Sequence, residues 1–442
     1  MKNFQEIYKN KVRTISEALK LIQDEDFIIV AQAASEPKVL LQNLHTIKDN
    51  GVKGVEVQNC LPLGQYEFIN EPKYKEAVFT NGWFFTASLR KGQKNKNVSF
   101  TPQNARFALL KRLYRIEDRR KILFATCSPM DKHGYLSLSL STVYEREFID
   151  AGAIVICEVN PNYPRTFGDN RVRIDEITAI VETDYEVPEI GLVPYTEVDE
   201  KIGKNIAQLV EDGSTIQLGI GKIPNAVAVE LKHKKHLGIH TEMITESMVD
   251  LIECGAVDNS MKTLYKGLTV GSFAFGSKKL YEYLDNNTSV LFKAASFTND
   301  PYVLGQNYKM VSINTTLEVD LTGQCASESI GSTQYTGTGG QAETAIGAQM
   351  SKDGKSILAM HSTAEITNES GEREVISKVV PFLKIGSIVS LSRNDVDYVV
   401  TEYGVAWLRG ATVKDRVEQL IAIAHPDFRN KLRKEAKENC IW

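Results

Sequence analysis

The chain has 442 residues, 42% of them hydrophobic and 24% charged, and a formal net charge of −4. So even a balance provides no basic field for nucleic acid or an anionic membrane, and the length suggests two domains of roughly 200 residues. No apolar run approaches the roughly 20 residues of a membrane span, the N-terminal segment lacks the apolar core of a signal peptide, and the six cysteines show no metal-ligand spacing, so no metal is expected and a reducing cytoplasm fits.

In chain order, the first half alternates apolar runs with polar loops. An offset of 187 residues (209 − 22) aligns Ile22, Glu25, Ile29, Pro37 and Leu44 with Leu209, Asp212, Ile216, Pro224 and Leu231, repeating a helix-strand-turn-helix pattern. Two related α/β domains would produce such a repeat. The first copy, FIIVAQAASEPKVLLQNL, has no glycine in its turn, so its backbone is poorly suited to approach a ligand, and catalysis is expected on the second copy. Ile122–Ala125 and Ile154–Cys157 read as buried strands that run into the polar loops Ser128–Tyr135 and Val159–Asp169. Loops after strands commonly shape sites. His133 and Arg165 are therefore candidate ligand contacts, although a histidine before glycine is commonly a turn residue and a lone arginine an ion-pair partner. Glu182–Tyr195, with Pro188 and Pro194, reads as the crossing between domains. This gives 1–190 and 196–442, each expected to be a largely parallel sheet flanked by helices.

The second copy, Thr215–Met243, is the stretch around which the rest is organised. Thr215–Leu218 reads as a strand entering the turn Gly219-Ile220-Gly221-Lys222-Ile223. Pro224 then opens a helix, at a position where its missing N–H is no loss, and Ala226, Val227, Val229 and Leu231 supply an apolar face. A second strand, Leu237–His240, runs into Thr241 and Glu242. In a parallel β-turn-α-β unit, the turn after the first strand and the end of the second lie on one sheet edge, so Glu242 is expected to face the glycine turn. Three readings are open. A dinucleotide site would hold pyrophosphate on the turn and a ribose on an acidic residue about 20 positions on, but the third glycine of that fingerprint is here Pro224. An acyl-transfer site would use backbone N–H groups for an oxyanion and the carboxylate as nucleophile. The third reading is a tight turn beside a solvated glutamate.

Leu268–Phe273 and Ser289–Phe292 read as strands of further β/α units. Within the small-residue stretch Val319–Met350, Gly337-Thr338-Gly339-Gly340-Gln341 places three glycines in four positions between a strand and a helix. Such a loop either offers N–H groups to an anion or carbonyl oxygen or is simply a flexible turn. Ser356–Met360 reads as a buried strand ending in His361-Ser362-Thr363-Ala364, and Asp397–Thr401 as another, broken by Glu402-Tyr403-Gly404. Glu402 fits a second acid less well than a hydrogen-bonded structural carboxylate. A helix stop at Pro426 precedes a basic, solvated helix, with His425 and Arg429 read as structural.

The stretches SPMDKHGYLSL, NPNYPRTFGD, GIGKIPNAV, LGIHTEM, DLTGQCASE, GTGGQ, GKSILA, SRNDVDYVVTEYGVAWLRG and IAHPDFR, in order through most of the chain, resemble the acetyl-CoA hydrolase/transferase family of class I CoA-transferases. The likeness is nearest to the butyryl-CoA:acetate and 4-hydroxybutyrate enzymes, and Ala342-Glu343-Thr344 after GTGGQ stands nearer the butyrate type. The resemblance implies two related α/β CoA-transferase domains with the active site between them, and Glu242 as nucleophile. It implies coenzyme A contacts at Gly219, Ile220, Gly221, Lys222 and Ile223, at Gly339 and Gly340, and at Thr363 and Ala364, with Glu328 in a supporting role. The implied substrates are acyl-CoA and short-chain carboxylates, with coenzyme A as a covalent intermediate and no permanently bound cofactor. A cytoplasmic homodimer or larger homo-oligomer is expected. Acyl-CoA hydrolysis by the same glutamate is the alternative; an NAD-dependent oxidoreductase is a remote one, with Pro224 and the whole-chain match against it.

Overall fold

The computed structural model describes residues 3–368 and 370–442, which fall into two compact units. The first comprises the chain up to Gly191 together with Glu242–Glu246 and Val270–Thr298; the second comprises Leu192–Thr241, Ser247–Thr269 and Asn299–Trp442. Two segments of the stretch expected as the second domain, 242–246 and 270–298, thus pack with the first unit. Backbone hydrogen bonding is the physical reason. Met243–Ile244 pairs in parallel with Phe273–Ala274, while Thr142 N donates to Ser272 O at 2.9 Å and Ala274 N donates to Leu140 O at 2.8 Å. Buried backbone groups need such partners, and these lie in the first unit.

The first unit is built on seven parallel strands, β1 (Phe27–Val30), β2 (Val55–Asn59), β3 (Val78–Gly82), β4 (Val98–Phe100), β5 (Lys121–Cys127), β6 (Ile154–Val159) and β7 (Ile177–Glu182), in the order β4-β3-β2-β1-β5-β6-β7. Phe27 registers with Glu56 on one side and Lys121 on the other. All four residues of β1 are buried, as are Leu123, Phe124, Val155 and Ile156. Continuous apolar runs of this kind belong to strands covered on both faces. The winding reverses between β1 and β5, so the loops after these strands diverge and leave a crevice of the kind where α/β sheets place ligands. The glycine-free turn after β1 is closed by Ala33, which takes a left-handed φ of 53° at the start of a 3₁₀ turn.

The second unit repeats the plan with β8 (Thr215–Leu218), β9 (Gly238–Ile239), β10 (Met310–Thr315), β11 (Lys355–Ala359), β12 (Tyr398–Thr401) and β13 (Gly404–Trp407), in the order β9-β8-β10-β11-β12-β13. Every pairing is parallel except the last. Helix α1 (Glu197–Ala207) starts at a capping box on Thr196 and Asp199. Helix α2 (Lys222–Leu231) begins two residues before Pro224, not at it, because Gly221 is the N-cap with a φ of 121°. Val229, expected on the apolar face, is exposed, and Ala228 is buried with Ala226, Val227 and Leu231. Val229 lies two positions, about 200° of helix, from Val227. The strand expected at Leu237–His240 is shorter, and Leu237 instead bridges to Val257.

Candidate active site

In the second unit the winding reverses at β8, whose neighbours β9 and β10 lie on opposite sides, so the glycine turn leaves the sheet at its switch point. A side chain on Gly219 would meet nothing within 4 Å, and Ile220 and Lys222 are exposed, so this turn is open to a ligand. The N–H groups of the first helical turn have no partner within the helix, and Pro224 has none to offer, which leaves Lys222 and Ile223 as donors at that end. Next along the edge, helix α3 (Gln341–Met350) has Gly340 as its N-cap. Gln341 Nε2 donates to Thr315 O at 2.7 Å, and Thr344 Oγ1 accepts from Ser312 Oγ at 2.9 Å, so the GTGGQ loop is held over the end of β10. Thr363 and Ala364 follow β11, and Glu402 follows β12. Four adjacent strand ends thus carry Gly219–Ile223, Gly339–Gly340, Thr363–Ala364 and Glu402.

Glu242 is held in the first unit. Its carbonyl accepts from Ser272 N at 2.9 Å and Phe273 N at 3.1 Å, which fixes its main chain at the mouth of the short strand Met243–Ile244. Its carboxylate acts on Cys60, one residue beyond β2: burial pushes that thiol up, and the charges of Glu242 and Glu145 push it further. Glu145 is itself buried. Desolvation raises its carboxyl above the ordinary range, against Ser141 Oγ, which donates at 2.5 Å, and Tyr144 N, which donates at 2.9 Å. Glu242, Cys60 and Glu145 therefore form one electrostatic cluster beside the C-terminal edge of the first sheet. Pattern reading missed Cys60 and Glu145. Cys60 follows the polar pair Gln58-Asn59 and carries no pattern of its own; the signal in Glu145 was an acidic residue directly after the buried run Leu138–Tyr144.

The remaining candidates take supporting places. His133 sits in a turn where Asp131 Oδ1 accepts from the N–H groups of His133 and Tyr135. Arg165 donates to Pro129 O at 2.7 Å and to Tyr135 O at 3.1 Å, and lies 3.4 Å from Asp131, which is a structural role. Glu328 is buried and accepts from Ser390 Oγ at 3.0 Å and Thr338 Oγ1 at 3.1 Å, tying the GTGGQ loop to a neighbouring segment. Glu402 accepts from Ser362 N at 3.0 Å and Ser362 Oγ at 2.5 Å, the structural carboxylate expected of it. His425 caps helix α4 (Pro426–Glu438), and Arg429 donates to Ala424 O at 3.0 Å. Among the described residues, no group of three or more His, Cys, Asp or Glu side chains is placed to hold a metal, and no helix is long and apolar enough to cross a membrane.

Comparison with known proteins adds an independent line. The N-terminal domain of the acetyl-CoA hydrolase/transferase family matches residues 1–194, and its C-terminal domain matches residues 276–436. The chain is 40% identical to the 4-hydroxybutyrate coenzyme A transferase of Clostridium kluyveri, over 98% of this chain and 99% of that one. It is also 40% identical to the succinyl-CoA:cyclohexane-1-carboxylate CoA transferase of Geobacter metallireducens, over 99% and 97%. The crystal structure of RipA from Yersinia pestis superposes with a TM-score of 0.91 at 33% identity, covering 100% of both chains. Matched by both domains in order and by full-length relatives at that identity, the chain belongs to the acetyl-CoA hydrolase/transferase family.

Proposed function

We propose that this protein is a short-chain acyl-CoA:carboxylate CoA-transferase of the butyryl-CoA:acetate or 4-hydroxybutyrate kind, working by a ping-pong route through Glu242. The carboxylate attacks the thioester carbonyl and expels the coenzyme A thiolate, leaving an acyl-glutamyl anhydride. The thiolate attacks the glutamyl carbonyl of that anhydride, releases the first carboxylic acid as its anion, and leaves a glutamyl-CoA thioester. An incoming carboxylate attacks this thioester, forms the second anhydride and frees the thiolate, which takes the new acyl group and regenerates Glu242. Over the whole cycle one thioester is exchanged for another, so neither ATP nor a metal enters the balance.

A carboxylate suits the role because it is ionised at neutral pH and its acyl derivatives are reactive. Each tetrahedral intermediate needs its oxygen stabilised, and one well-placed hydrogen-bond donor contributes roughly 2.7–4 kcal/mol. The open glycine turn at the switch point and the GTGGQ loop are assigned to the coenzyme arm. Binding of that arm, remote from the reacting carbon, supplies energy realised in the transition state. The observation that carries the reading is the clamped main chain of Glu242, whose charge reaches Cys60 at the C-terminal end of β2. Acyl-CoA hydrolysis is the second reading, because the matched family takes in hydrolases as well as transferases.

The test is mass spectrometry of the peptide containing Glu242 after exposure to butyryl-CoA without an acceptor. A gain of the coenzyme's mass, discharged by added acetate to form acetyl-CoA, is the expected result. Turnover without that adduct on Glu242 would overturn the mechanism. Equal turnover with and without acetate would assign hydrolysis.

A further inference from the structure

Trp83 is the first residue beyond β3, and its side chain is almost wholly enclosed, at 2% exposure. An indole N–H can only donate, and a buried one ordinarily finds an acceptor. Among the described residues, Nε1 of Trp83 has none. An unpaired buried donor is costly, and a phenylalanine ring would fill much of the same space without one. Packing alone gives no use for this N–H, but its neighbours supply one.

Those neighbours belong to the cluster around Glu242. Gln58 of β2 registers with Asn81 of β3, so Cys60 and Trp83, each two residues further on, leave adjacent strands at one level, a strand spacing of about 4.8 Å apart. Cys60 is the thiol on which the charges of Glu242 and Glu145 act. On the other side, the Trp83 ring meets the Tyr144 ring edge-on, with centroids 5.9 Å apart at 65°. Tyr144 is itself pinned, because its Oη donates to Val30 O at 2.6 Å and its N donates to Glu145 Oε2 at 2.9 Å. The indole is therefore held beside both Cys60 and the residue that precedes Glu145.

A second unpaired group stands on the same segment as Tyr144. Thr142 is fully buried, and its Oγ1 has no partner among the described residues. Its main chain reaches Glu242 through Ser272: Thr142 N donates to Ser272 O, and Ser272 N donates to Glu242 O, both at 2.9 Å. Buried polar side chains without partners are uncommon, and here a donor and a hydroxyl border the same carboxylate. An acyl group must lie beside Glu242 to be attacked, so an oxygen carried on its chain comes into this neighbourhood.

We propose that Trp83 reads the acyl chain, its indole N–H donating to the hydroxyl at the far end of a short hydroxyacyl group, so that 4-hydroxybutyryl thioesters are taken in preference to butyryl ones. The proposal rests on the transferase reading with Glu242 as nucleophile, and adds which of the two substrate classes the site selects. An alkyl chain leaves the donor unpaired, whereas a hydroxyl completes the bond. Sites built around a hydrogen bond to substrate discriminate far more strongly than apolar pockets do.

The experiment compares kcat/KM for 4-hydroxybutyryl-CoA and butyryl-CoA, each with acetate as acceptor, in the parent and in Trp83→Phe. The parent is expected to favour the hydroxyacyl thioester at least about tenfold. Trp83→Phe is expected to lower kcat/KM for that thioester at least about tenfold and to leave butyryl-CoA within about threefold. An equal loss on both thioesters would mark Trp83 as a packing residue or a donor to the thioester carbonyl, and no loss on either would mark its N–H as unused; both results overturn the assignment. A parent that favours butyryl-CoA overturns it without any variant. If Trp83→Phe does not fold, the emission of Trp83 itself is read in the parent: Trp407 and Trp442 are 54% and 59% exposed and are quenched by iodide. The remaining emission is expected to shift with 4-hydroxybutyrate and not with butyrate, and equal shifts, or none, would overturn the assignment. A parent inactive with both thioesters would instead refute the transferase reading, so the two failures are distinguishable.

Discussion

Lys262 offers the sharpest test of how the segment entering Glu242 is held. The side chain is 3% exposed, and its Nζ donates to Ile239 O and Leu268 O, both at 2.7 Å. Ile239 closes β9, three residues before Glu242. Among the described residues no carboxylate faces the amine, and burial pulls it down to about 7. The unfolded chain holds that proton up to about pH 10.4, whereas the folded chain gives it up near pH 7. Between those values the unfolded state binds more protons, so this group makes stability rise with pH. One pKa unit is 1.36 kcal/mol, so the rise between pH 7 and pH 9.5 is about 3 kcal/mol. Lys262→Met keeps the stem and removes the titration, but leaves two buried carbonyls unpaired, at about 1–3 kcal/mol each. Denaturant unfolding of parent and variant at both pH values isolates the effect, because every other titrating group cancels in the difference. The parent's advantage is expected to widen by about 3 kcal/mol at pH 9.5. An advantage constant across that range would show that the amine titrates normally and that the buried anchor has been misread.

Further outcomes follow from single contacts. Glu242→Gln and Glu242→Ala are expected to abolish transfer with folding retained, whereas Glu328→Ala, which frees Ser390 and Thr338, lowers kcat partially; steady-state kinetics with circular dichroism would separate them, and the reverse ranking would move the nucleophile. Gly168 has a φ of 132°, and a Cβ there would lie 1.9 Å from Phe292 O, so Gly168→Ala is expected to destabilise the first unit by more than about 3 kcal/mol, read as a lowered unfolding midpoint. Glu211 is drawn down to about 2 by hydrogen bonds from Lys309 and Lys355, a stabilisation lost as pH falls through that value. Glu211 is itself 49% exposed, so Glu211→Gln should lower stability at neutral pH by less than about 1 kcal/mol in a thermal melt.

Where the sequence carried the structure, it did so through periodic burial and backbone geometry. Ile122–Ala125 and Ile154–Cys157 are apolar because both faces of β5 and β6 are covered, and that demand is written residue by residue. Gly221 marks the switch point of the second unit because the chain turns there with a φ of 121°, and Gly219 beside it leaves open space. The start of α2 was misplaced for a related reason: Pro224 is tolerated anywhere in the first turn, and the cap is set by Gly221. The grouping of Glu242 with the first unit was not legible at all. It depends on a two-residue strand, Met243–Ile244, too short to show a period, whose partner Phe273–Ala274 lies 30 residues on. Nearest-neighbour reasoning joined Glu242 to the β-turn-α-β unit that precedes it in sequence.

The packing of Glu242 with the first unit bears on the chemistry. A glutamate at the end of a solvated strand would be an ordinary carboxylate, whereas Glu242 belongs with a buried thiol and a buried carboxyl. Glu145 is wholly enclosed, and its desolvation favours the protonated form. If Glu242 is the nucleophile proposed above, a shift of Glu145 toward its neutral form lessens the negative charge in the cluster that both share with Cys60. Glu145→Gln reproduces that neutral state and is expected to leave kcat within about threefold, whereas Glu145→Asp, which shortens the side chain and pulls it from Ser141, should lower both kcat and the unfolding midpoint. If Glu145→Gln were instead as inactive as Glu242→Gln, with folding intact, Glu145 would have to act as an anion or exchange a proton during turnover, and the division of roles between the two glutamates would fall.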